Sequence, residues 1–197
     1  GGKDPYSSSK ACAELICTSY RESFFIPRGI SLATARAGNV IGGGDWSEDR
    51  LIPDLMRAHD AGDPIELRYP HAVRPWQHVL DPLCGYLTYA QALAMNRNGT
   101  VPSALNFGPD EASSQTVSGI VEALNPKRGS ASCWKQAPGD HPPEASVLTL
   151  GSQLALESIG WRSRLGFDEA LDWTADWYRA DRAGSNMRAV TQAQISA

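Results

Sequence analysis

The chain has 197 residues and a formal net charge of −4, with 42% hydrophobic and 20% charged residues. This size and composition fit a soluble globular protein with one large domain or parts of two. The acidic balance argues against nucleic acid as a main partner. No apolar run is long enough to cross a bilayer, and we see no signal peptide, although the chain does not begin with methionine.

The cysteines indicate reduced thiols. Cys12, Cys17, Cys84 and Cys133 form no C-x-x-C pair and show no metal-ligand spacing with the histidines. The first three lie among apolar residues of predicted helices. We therefore expect them to be small core side chains of a cytoplasmic protein, and we predict no metal site.

The first predicted element is a helix that carries Tyr6 and Lys10 one turn apart on the same face. Asp4 is a good N-cap, and Pro5 suits the first helical position. A phenol is a poor base because its pKa in water is about 10, and a nearby ammonium favours the phenolate. The pair could therefore take a proton from a substrate hydroxyl. An isolated pair of this kind is more often a surface tyrosine beside a solvated lysine. The helix continues with apolar residues at helical spacing and ends at 27–29: Ala13, Ile16, Cys17, Tyr20 and Phe24.

A short strand at Ile30–Arg36 follows and leads into a glycine-rich stretch, 37–46. A strand that ends in small residues and glycines is typical of a ligand crevice at the carboxyl edge of a parallel sheet. The alternative is a flexible surface loop. Arg36 and Asn39 favour the crevice because both stand at the strand end. The stretch is not a G-x-G-x-x-G fingerprint.

The next segment contains three arginines in an acidic protein. A helix is predicted from Arg50 to about Ala61 with a stop at Gly62, then a strand at Ile65–Arg68 and an extended stretch at 74–79. Guanidinium groups bind phosphate in a bidentate manner, so the set suggests a diphosphate ligand: Arg50, Arg68 and Arg74. Surface salt bridging is an equal alternative for Arg68, whereas Arg74 precedes an apolar strand and favours the ligand.

The remaining elements alternate between helices and strands. A helix beginning at Asp81-Pro82 carries one apolar face, formed by Leu83, Leu87, Ala90, Leu93 and Ala94, and ends near 96–99. Strands are predicted at 104–107, 132–135 and 146–150, and helices at 117–124 and 153–159. A final amphipathic helix presents Phe167, Ala170, Leu171, Thr174, Trp177 and Tyr178. The tail 187–197 is mildly amphipathic and could pack on the body or on a partner.

The order of these motifs resembles the extended short-chain dehydrogenase/reductases that act on nucleotide sugars, and among them the 4,6-dehydratases. The matching stretches are 4–10, 36–46, 49–54, 74–83, 104–109, 160–161, 177–178 and the tail 187–195. The resemblance implies an α/β fold, namely the C-terminal part of an NAD(P)-binding Rossmann-like fold with a small α+β substrate domain. It divides the chain into the last part of the NAD-binding domain (1–40), a substrate-domain insertion (41–78), a return to the Rossmann-like domain (79–110) and a nucleotide-sugar-binding domain with tail (111–197).

The resemblance also implies a reaction. Tyr6 would take the proton from the glucose 4-hydroxyl of a CDP-sugar while hydride passes to NAD; water then leaves from C5 and C6, and the hydride returns to C6. Tyr6 and Lys10 are implied as catalytic residues. Tyr6, Lys10, Arg36 and Ala37 are implied as cofactor-binding residues. Asn39, Arg50, Leu51, Ile52, Arg68 and Arg74 are implied as substrate-binding residues. A homodimer is implied, with a homotetramer as the alternative.

The match also has departures. The family's glycine-rich dinucleotide fingerprint and the acid/base residues of the dehydration step belong to a part upstream of this sequence, so the chain resembles a C-terminal portion. Gly151 and Leu154 replace an Asp-x-x-Lys pattern, and a His-Glu-Ala run is spread over 141–145. An epimerase or decarboxylase of the same family, or a non-catalytic fragment, is the alternative.

Overall fold

The computed structural model describes residues 3–95, 99–127 and 134–197. The helices are α1 (Pro5–Tyr20), α2 (Leu51–Ala61), α3 (Leu80–Met95), α4 (Val117–Lys127), α5 (Gln153–Ile159), α6 (Phe167–Arg182) and α7 (Met187–Ser196). The strands are β1 (Thr34–Ala37), β2 (Asn39–Ile41), β3 (Ile65–Leu67), β4 (Val73–His78), β5 (Ala104–Phe107), β6 (Ser114–Thr116) and β7 (Trp134–Gln136). Within the described ranges, no helix has the length and apolar character that a membrane span requires.

The strands form three small sheets, mostly parallel. β1 pairs with β5 in parallel, β3 pairs with β7 in parallel, and β4 lies between parallel β2 and antiparallel β6. The predicted α/β class with parallel strands is confirmed. Strand β1 belongs to the predicted segment 1–40 and β5 to the predicted segment 79–110, so these two segments share a sheet. The division of the chain into four segments stays a prediction.

Two clusters of buried side chains hold the elements together. The larger one lies between the β2–β4 strands and helices α2, α4 and α6, and includes Leu55, Met56, Trp76, Ile120, Leu124, Leu171 and Tyr178. The smaller one surrounds β5 and includes Tyr89, Leu105, Phe107, Ala155 and Trp161. The predicted stripe of α6 is buried from Ala170 to Tyr178, and Phe167 packs half-buried against the larger cluster, because the apolar residues recur on one helical face.

The tail packs on the body of the chain. Met187 and Val190 of α7 lie against the larger cluster. The indole Nε1 of Trp177 donates a hydrogen bond to the Thr191 hydroxyl at 2.9 Å, and the Gln194 amide donates to the Trp173 carbonyl at 2.8 Å. The sequence left open whether the tail packs on the body or on a partner, and the structure shows it packed on the body.

Two expectations about buried faces are wrong. Cys12 and Cys84 are exposed and Cys17 is half-buried, and all three are free thiols; Cys133 lies outside the described residues. In the described part of the chain, α1 buries none of its residues, so its cysteines have no core to enter. Helix α3 exposes most of its predicted apolar face, namely Leu83, Leu87, Ala90 and Ala94, whereas Leu93 packs against the smaller cluster. The helix buries Pro82, Gly85 and Tyr89 instead, since Gly85 lets Phe107 and Trp161 approach its backbone.

Several element boundaries also differ from the sequence expectation. The helical region ends at Gly29 as predicted, after a π-helical segment, Arg21–Phe25, and a 3-10 turn. The first strand nevertheless begins at Thr34 and not Ile30, because its partner β5 begins at Ala104, which pairs with Thr34. The stretch 146–150 forms only an isolated bridge, between Val147 and Val73. The predicted end of the third helix (96–98) and the start of the strand at 132–133 lie outside the described residues.

Candidate active site

A groove of about 940 Å³ runs along the carboxyl ends of β1 and β2, the start of α2 and the edges of β3 and β4. Eight of the ten residues proposed from the sequence line it: Tyr6, Ala37, Asn39, Arg50, Leu51, Ile52, Arg68 and Arg74. Lys10 stands beside Tyr6, and Arg36 points elsewhere. The groove is therefore the place where the catalytic and substrate-binding predictions meet.

The Tyr6–Lys10 pair is positioned by the cap of α1. The Asp4 carboxylate accepts a hydrogen bond from the Ser7 backbone N–H at 2.9 Å. Hydrogen bonds from the Ser7 hydroxyl and backbone lower the pKa of Asp4, so the cap stays ionised. The Tyr6 ring is 71% exposed and faces the groove. The Lys10 ammonium lies 5.3 Å from the centre of that ring. Tyr6 therefore lies at the groove wall with its phenol open to a ligand, and Lys10 stands beside its ring.

Arg36 braces α1 against the β1–β5 sheet. Its guanidinium donates to the Glu14 carboxylate at 2.6 Å and to the Asn106 side chain at 3.1 Å, and Thr34 also donates to Glu14. The bond from Arg36 is the main reason that the pKa of Glu14 is lowered. The structure thus does not bring Arg36 to the groove, whereas its neighbour Ala37 lines it.

The three arginines predicted to bind phosphate share the groove but differ in their surroundings. Arg50 occupies the N-cap position of α2 and is exposed; no carboxylate of the described residues pairs with it. Arg68 is exposed and donates to Asp49 at 2.9 Å. Arg74 is buried, with 4% of its side chain exposed, and it donates to the Val73 carbonyl and to Glu144. Their role as phosphate ligands stays a prediction.

The glycine-rich loop is shaped by packing against α6. A Cβ atom at Gly43 would lie 1.9 Å from Cγ of Trp177, so only glycine allows the indole to rest on this backbone. The Tyr178 hydroxyl donates to the Asp45 carbonyl at 2.6 Å, and Arg57 donates to the Trp46 carbonyl at 3.0 Å. Sequence reasoning assigned the glycines to ligand approach and Trp177 to the core. It therefore missed that Trp177 supports the groove floor.

His78 and Asp81 lie beneath the groove, at the junction of β4 and α3. His78 is 1% exposed; its Nδ1 accepts from the Leu80 N–H, and its Nε2 has no partner among the residues that the structure describes. Burial lowers the pKa of His78 to about 4, so the ring is neutral near pH 7. The Asp81 carboxylate accepts from the Ser163 hydroxyl and from the backbone N–H groups of Arg164 and Leu165. Both residues are buried, and neither is among the residues that line the groove.

A segment that we call the strap, residues 141–150, closes one side of the groove. The Tyr69 hydroxyl donates to the carbonyls of His141 and Pro142. Further along, the Val73 N–H donates to the Ser146 carbonyl at 2.8 Å. Glu144, Leu148 and Leu150 of the strap line the groove. Glu144 was not among the predicted site residues; the spread His-Glu-Ala run was the only sequence signal for it. Across ranges 3–95, 99–127 and 134–197, no group of His, Cys, Asp or Glu side chains has metal-site geometry.

A Tyr–Lys pair beside an arginine-lined groove at the ends of parallel strands is the arrangement expected of a short-chain dehydrogenase/reductase. The model of the NAD dependent epimerase/dehydratase family matches residues 2–108. The chain therefore belongs to that family, and the resemblance drawn from the motifs is confirmed.

Three relatives illustrate how the chain compares. It is 41% identical to the CDP-glucose 4,6-dehydratase of Salmonella typhimurium, over 100% of this chain and 56% of that protein. The structure superposes on dTDP-glucose 4,6-dehydratase from Bacillus anthracis in complex with NAD with a TM-score of 0.73 and 20% identity, over 94% of this chain and 55% of that one. It also superposes on the UDP-glucose 4-epimerase complex with NAD from Thermus thermophilus, with a TM-score of 0.74 and 25% identity. This superposition covers 91% of this chain and 55% of the epimerase chain. The chain thus spans little more than half the length of these relatives.

Proposed function

We propose that this chain supplies the Tyr–Lys pair and the substrate-binding part of an NAD-dependent nucleotide-sugar 4,6-dehydratase that converts CDP-glucose to CDP-4-keto-6-deoxyglucose. The observation that carries the proposal is that Tyr6, Asn39 and Arg74 line one groove. The identity of 41% to a CDP-glucose 4,6-dehydratase over the whole chain supports the choice of sugar nucleotide.

In this proposal, Tyr6 accepts the proton of the sugar 4-hydroxyl, and the Lys10 ammonium stabilises the resulting phenolate. Bound NAD would supply the reversible oxidation of the sugar carbon. The residues present fit that cofactor, because an exposed ammonium and an exposed phenol beside Ala37 are donors suited to ribose hydroxyls. In the part of the chain that is described, Lys10 has no carboxylate partner that would compete for this role.

The diphosphate would lie between Arg50 and Arg74, since guanidinium groups suit phosphate oxygens. Asn39 would hold the diphosphate as well. Leu51 and Ile52 at the start of α2 would border the nucleotide end of the groove. Arg68, at the outer side of the same groove, is a further candidate.

The test is turnover of CDP-glucose with NAD, followed by product analysis. We expect no turnover by the 197 residues alone and 4-keto-6-deoxy product from the longest natural reading frame that contains them. Robust product formation by the 197 residues would contradict the first expectation. A C4 epimer formed without loss of water would show instead an epimerase, the candidate favoured by the superposition on UDP-glucose 4-epimerase.

We further propose that the protein is a homodimer in the cytoplasm. Leu15, Ile16 and Tyr20 of α1 and Leu87 of α3 are large apolar side chains that are more than half exposed, and pairing two copies across these helices would cover them. The free thiols of Cys12, Cys17 and Cys84 suit a reducing compartment. Light scattering coupled to size exclusion tests the dimer; a monomer at micromolar concentration would contradict it.

A further inference from the structure

The ion pair between Arg74 and Glu144 is asymmetric. The Arg74 side chain is 4% exposed and is anchored by its own bond to the Val73 carbonyl, at 2.7 Å. The Glu144 side chain is 51% exposed and reaches Arg74 from the strap, at 2.5 Å. Both residues line the groove. The cation is therefore fixed in the wall, and its counter-ion stands half in water at the groove surface.

A buried guanidinium requires an anionic or hydrogen-bonding partner, because an unpaired charge away from water is strongly unfavourable. Glu144 fulfils that requirement when no ligand is bound. A phosphate group carries more acceptor oxygens than a carboxylate and matches the guanidinium fork equally well. A diphosphate that reaches Arg74 therefore competes with Glu144 for the same donors.

The Glu144 side chain can move away from Arg74 while the strap stays in place. The strap is fixed on one side by the Tyr69 hydroxyl, which bonds the Pro142 carbonyl, and on the other by Val73, which bonds Ser146 and Leu148. None of these bonds involves the Glu144 side chain. Rotation of this side chain into solvent breaks the contact with Arg74 and leaves the backbone bonds in place.

We propose that Glu144 is a built-in competitor for the phosphate position of Arg74: it holds the guanidinium in the empty groove and is displaced by the diphosphate of the nucleotide. This inference rests on the proposed function, since it takes a nucleoside diphosphate as the ligand. Glu144 is thus a positioning residue that sets nucleotide affinity, and removal of its charge strengthens binding.

The chain offers a matched control in Glu66. This residue also lines the groove, its side chain is also 51% exposed, and it is also ion-paired, but its partner is Lys135 of β7 and not an arginine of the groove. Glu66→Gln therefore removes the same charge from the same groove while Arg74 keeps Glu144. Any effect of Glu144→Gln beyond that of Glu66→Gln comes from the release of Arg74.

The experiment is calorimetric titration of the 197-residue chain with CDP at one pH and one salt concentration. We expect Glu144→Gln to bind CDP about tenfold more tightly than wild type, the scale of one charge-assisted hydrogen bond, and Glu66→Gln to change the affinity by no more than about threefold. A purely structural role for Glu144 predicts the opposite sign, weaker binding. Equal effects of the two substitutions, or weaker binding by Glu144→Gln, would overturn the inference.

A crystal structure of the wild-type chain with CDP gives a second measurement that needs no variant. We expect a phosphate oxygen at the Arg74 guanidinium and the Glu144 carboxylate beyond hydrogen-bond distance from it. CDP in the groove with Glu144 still bonded to Arg74 would overturn the inference. Turnover of CDP-glucose by a longer protein that contains this chain is a separate readout. If that protein is active but Glu144→Gln does not change CDP affinity, the proposed function holds and the inference about Glu144 fails. If Glu144→Gln tightens CDP binding but the protein is inactive, the inference about Glu144 holds and the proposed function fails.

Discussion

Substitution of Gly43 by alanine tests whether Trp177 sets the shape of the groove floor. The added Cβ would lie 1.9 Å from Cγ, 2.1 Å from Cδ2 and 2.5 Å from Cδ1 of the Trp177 indole. These distances are far inside van der Waals contact, so the ring or the loop has to move. Gly43 is not among the glycines with positive φ. Alanine is therefore acceptable to the backbone, and the effect is steric alone.

The expected loss of stability follows from the contacts that fix the Trp177 indole. Trp177 is 8% exposed, bonds Thr191 through Nε1 at 2.9 Å and packs edge-on against Tyr178 with ring centres 5.4 Å apart. Overpacking a site of this kind costs about 1–3 kcal/mol, and we expect Gly43→Ala to lie at the upper end, near 3 kcal/mol. For a chain of this size, that corresponds to a Tm lower by roughly 6–12 °C.

The assay is urea unfolding followed by circular dichroism, with Gly151→Ala as the matched control. Gly151 also lacks a positive φ, and its Cβ would meet no atom within 4 Å, so this control should stay within about 0.5 kcal/mol of wild type. In a Trp177→Ala background the clash is gone, and Gly43→Ala should then have little further effect. Equal stability of Gly43→Ala and wild type would refute the proposed packing, and so would an undiminished effect without the indole.

Three further predictions concern catalysis, acid stability and the α3 junction. In any protein that contains this chain and turns over CDP-glucose, Tyr6→Phe should lower turnover by roughly two to four orders of magnitude, the scale of losing a general base; an unchanged kcat would exclude Tyr6 from that role. Because the pKa of His78 is about 4 in the folded chain and about 6.5 when unfolded, its stabilising contribution is complete above pH 6.5. That contribution is lost as the pH falls toward 4, by up to about 3 kcal/mol; urea unfolding of His78→Phe should show a correspondingly flatter pH dependence, and identical slopes would contradict this. Asp81→Ala leaves the N–H groups of Arg164 and Leu165 without their acceptor and should destabilise the chain by about 3 kcal/mol, as measured by thermal unfolding; a loss below about 1 kcal/mol would indicate that water replaces the carboxylate.

The sequence predicted those features that depend on local chemistry. Asp4-Pro5 marked the start of α1, Gly62 marked the end of α2, and the periodic stripe of α6 marked its buried face. Arg50, Arg68 and Arg74 were expected in one crevice, and the groove contains all three. The cap, the stop and the stripe each lie within a few positions of the feature that they mark, whereas the three arginines were grouped by their shared chemistry.

What the sequence did not predict depends on contacts between distant residues. In the sequence, Arg36 and Arg74 both stand near the end of a strand and cannot be told apart. In the structure, Arg36 forms an ion pair with Glu14, and Arg74 forms one with Glu144. Neither carboxylate is close in sequence to its partner. The outward face of α3 was missed for the same reason, because the burial of Gly85 depends on Phe107 and Trp161. Periodicity and spacing in the sequence do not indicate which distant side chains pair in the fold.

The β1–β5 ribbon has a practical consequence for every measurement on the chain by itself. Among the described strands, β1 and β5 have only each other as neighbours, so each keeps one row of backbone donors and acceptors without a strand to bond. Rows of this kind template association between molecules. Titrations and unfolding experiments should therefore be repeated across a dilution series, so that self-association is not mistaken for ligand binding or for stability.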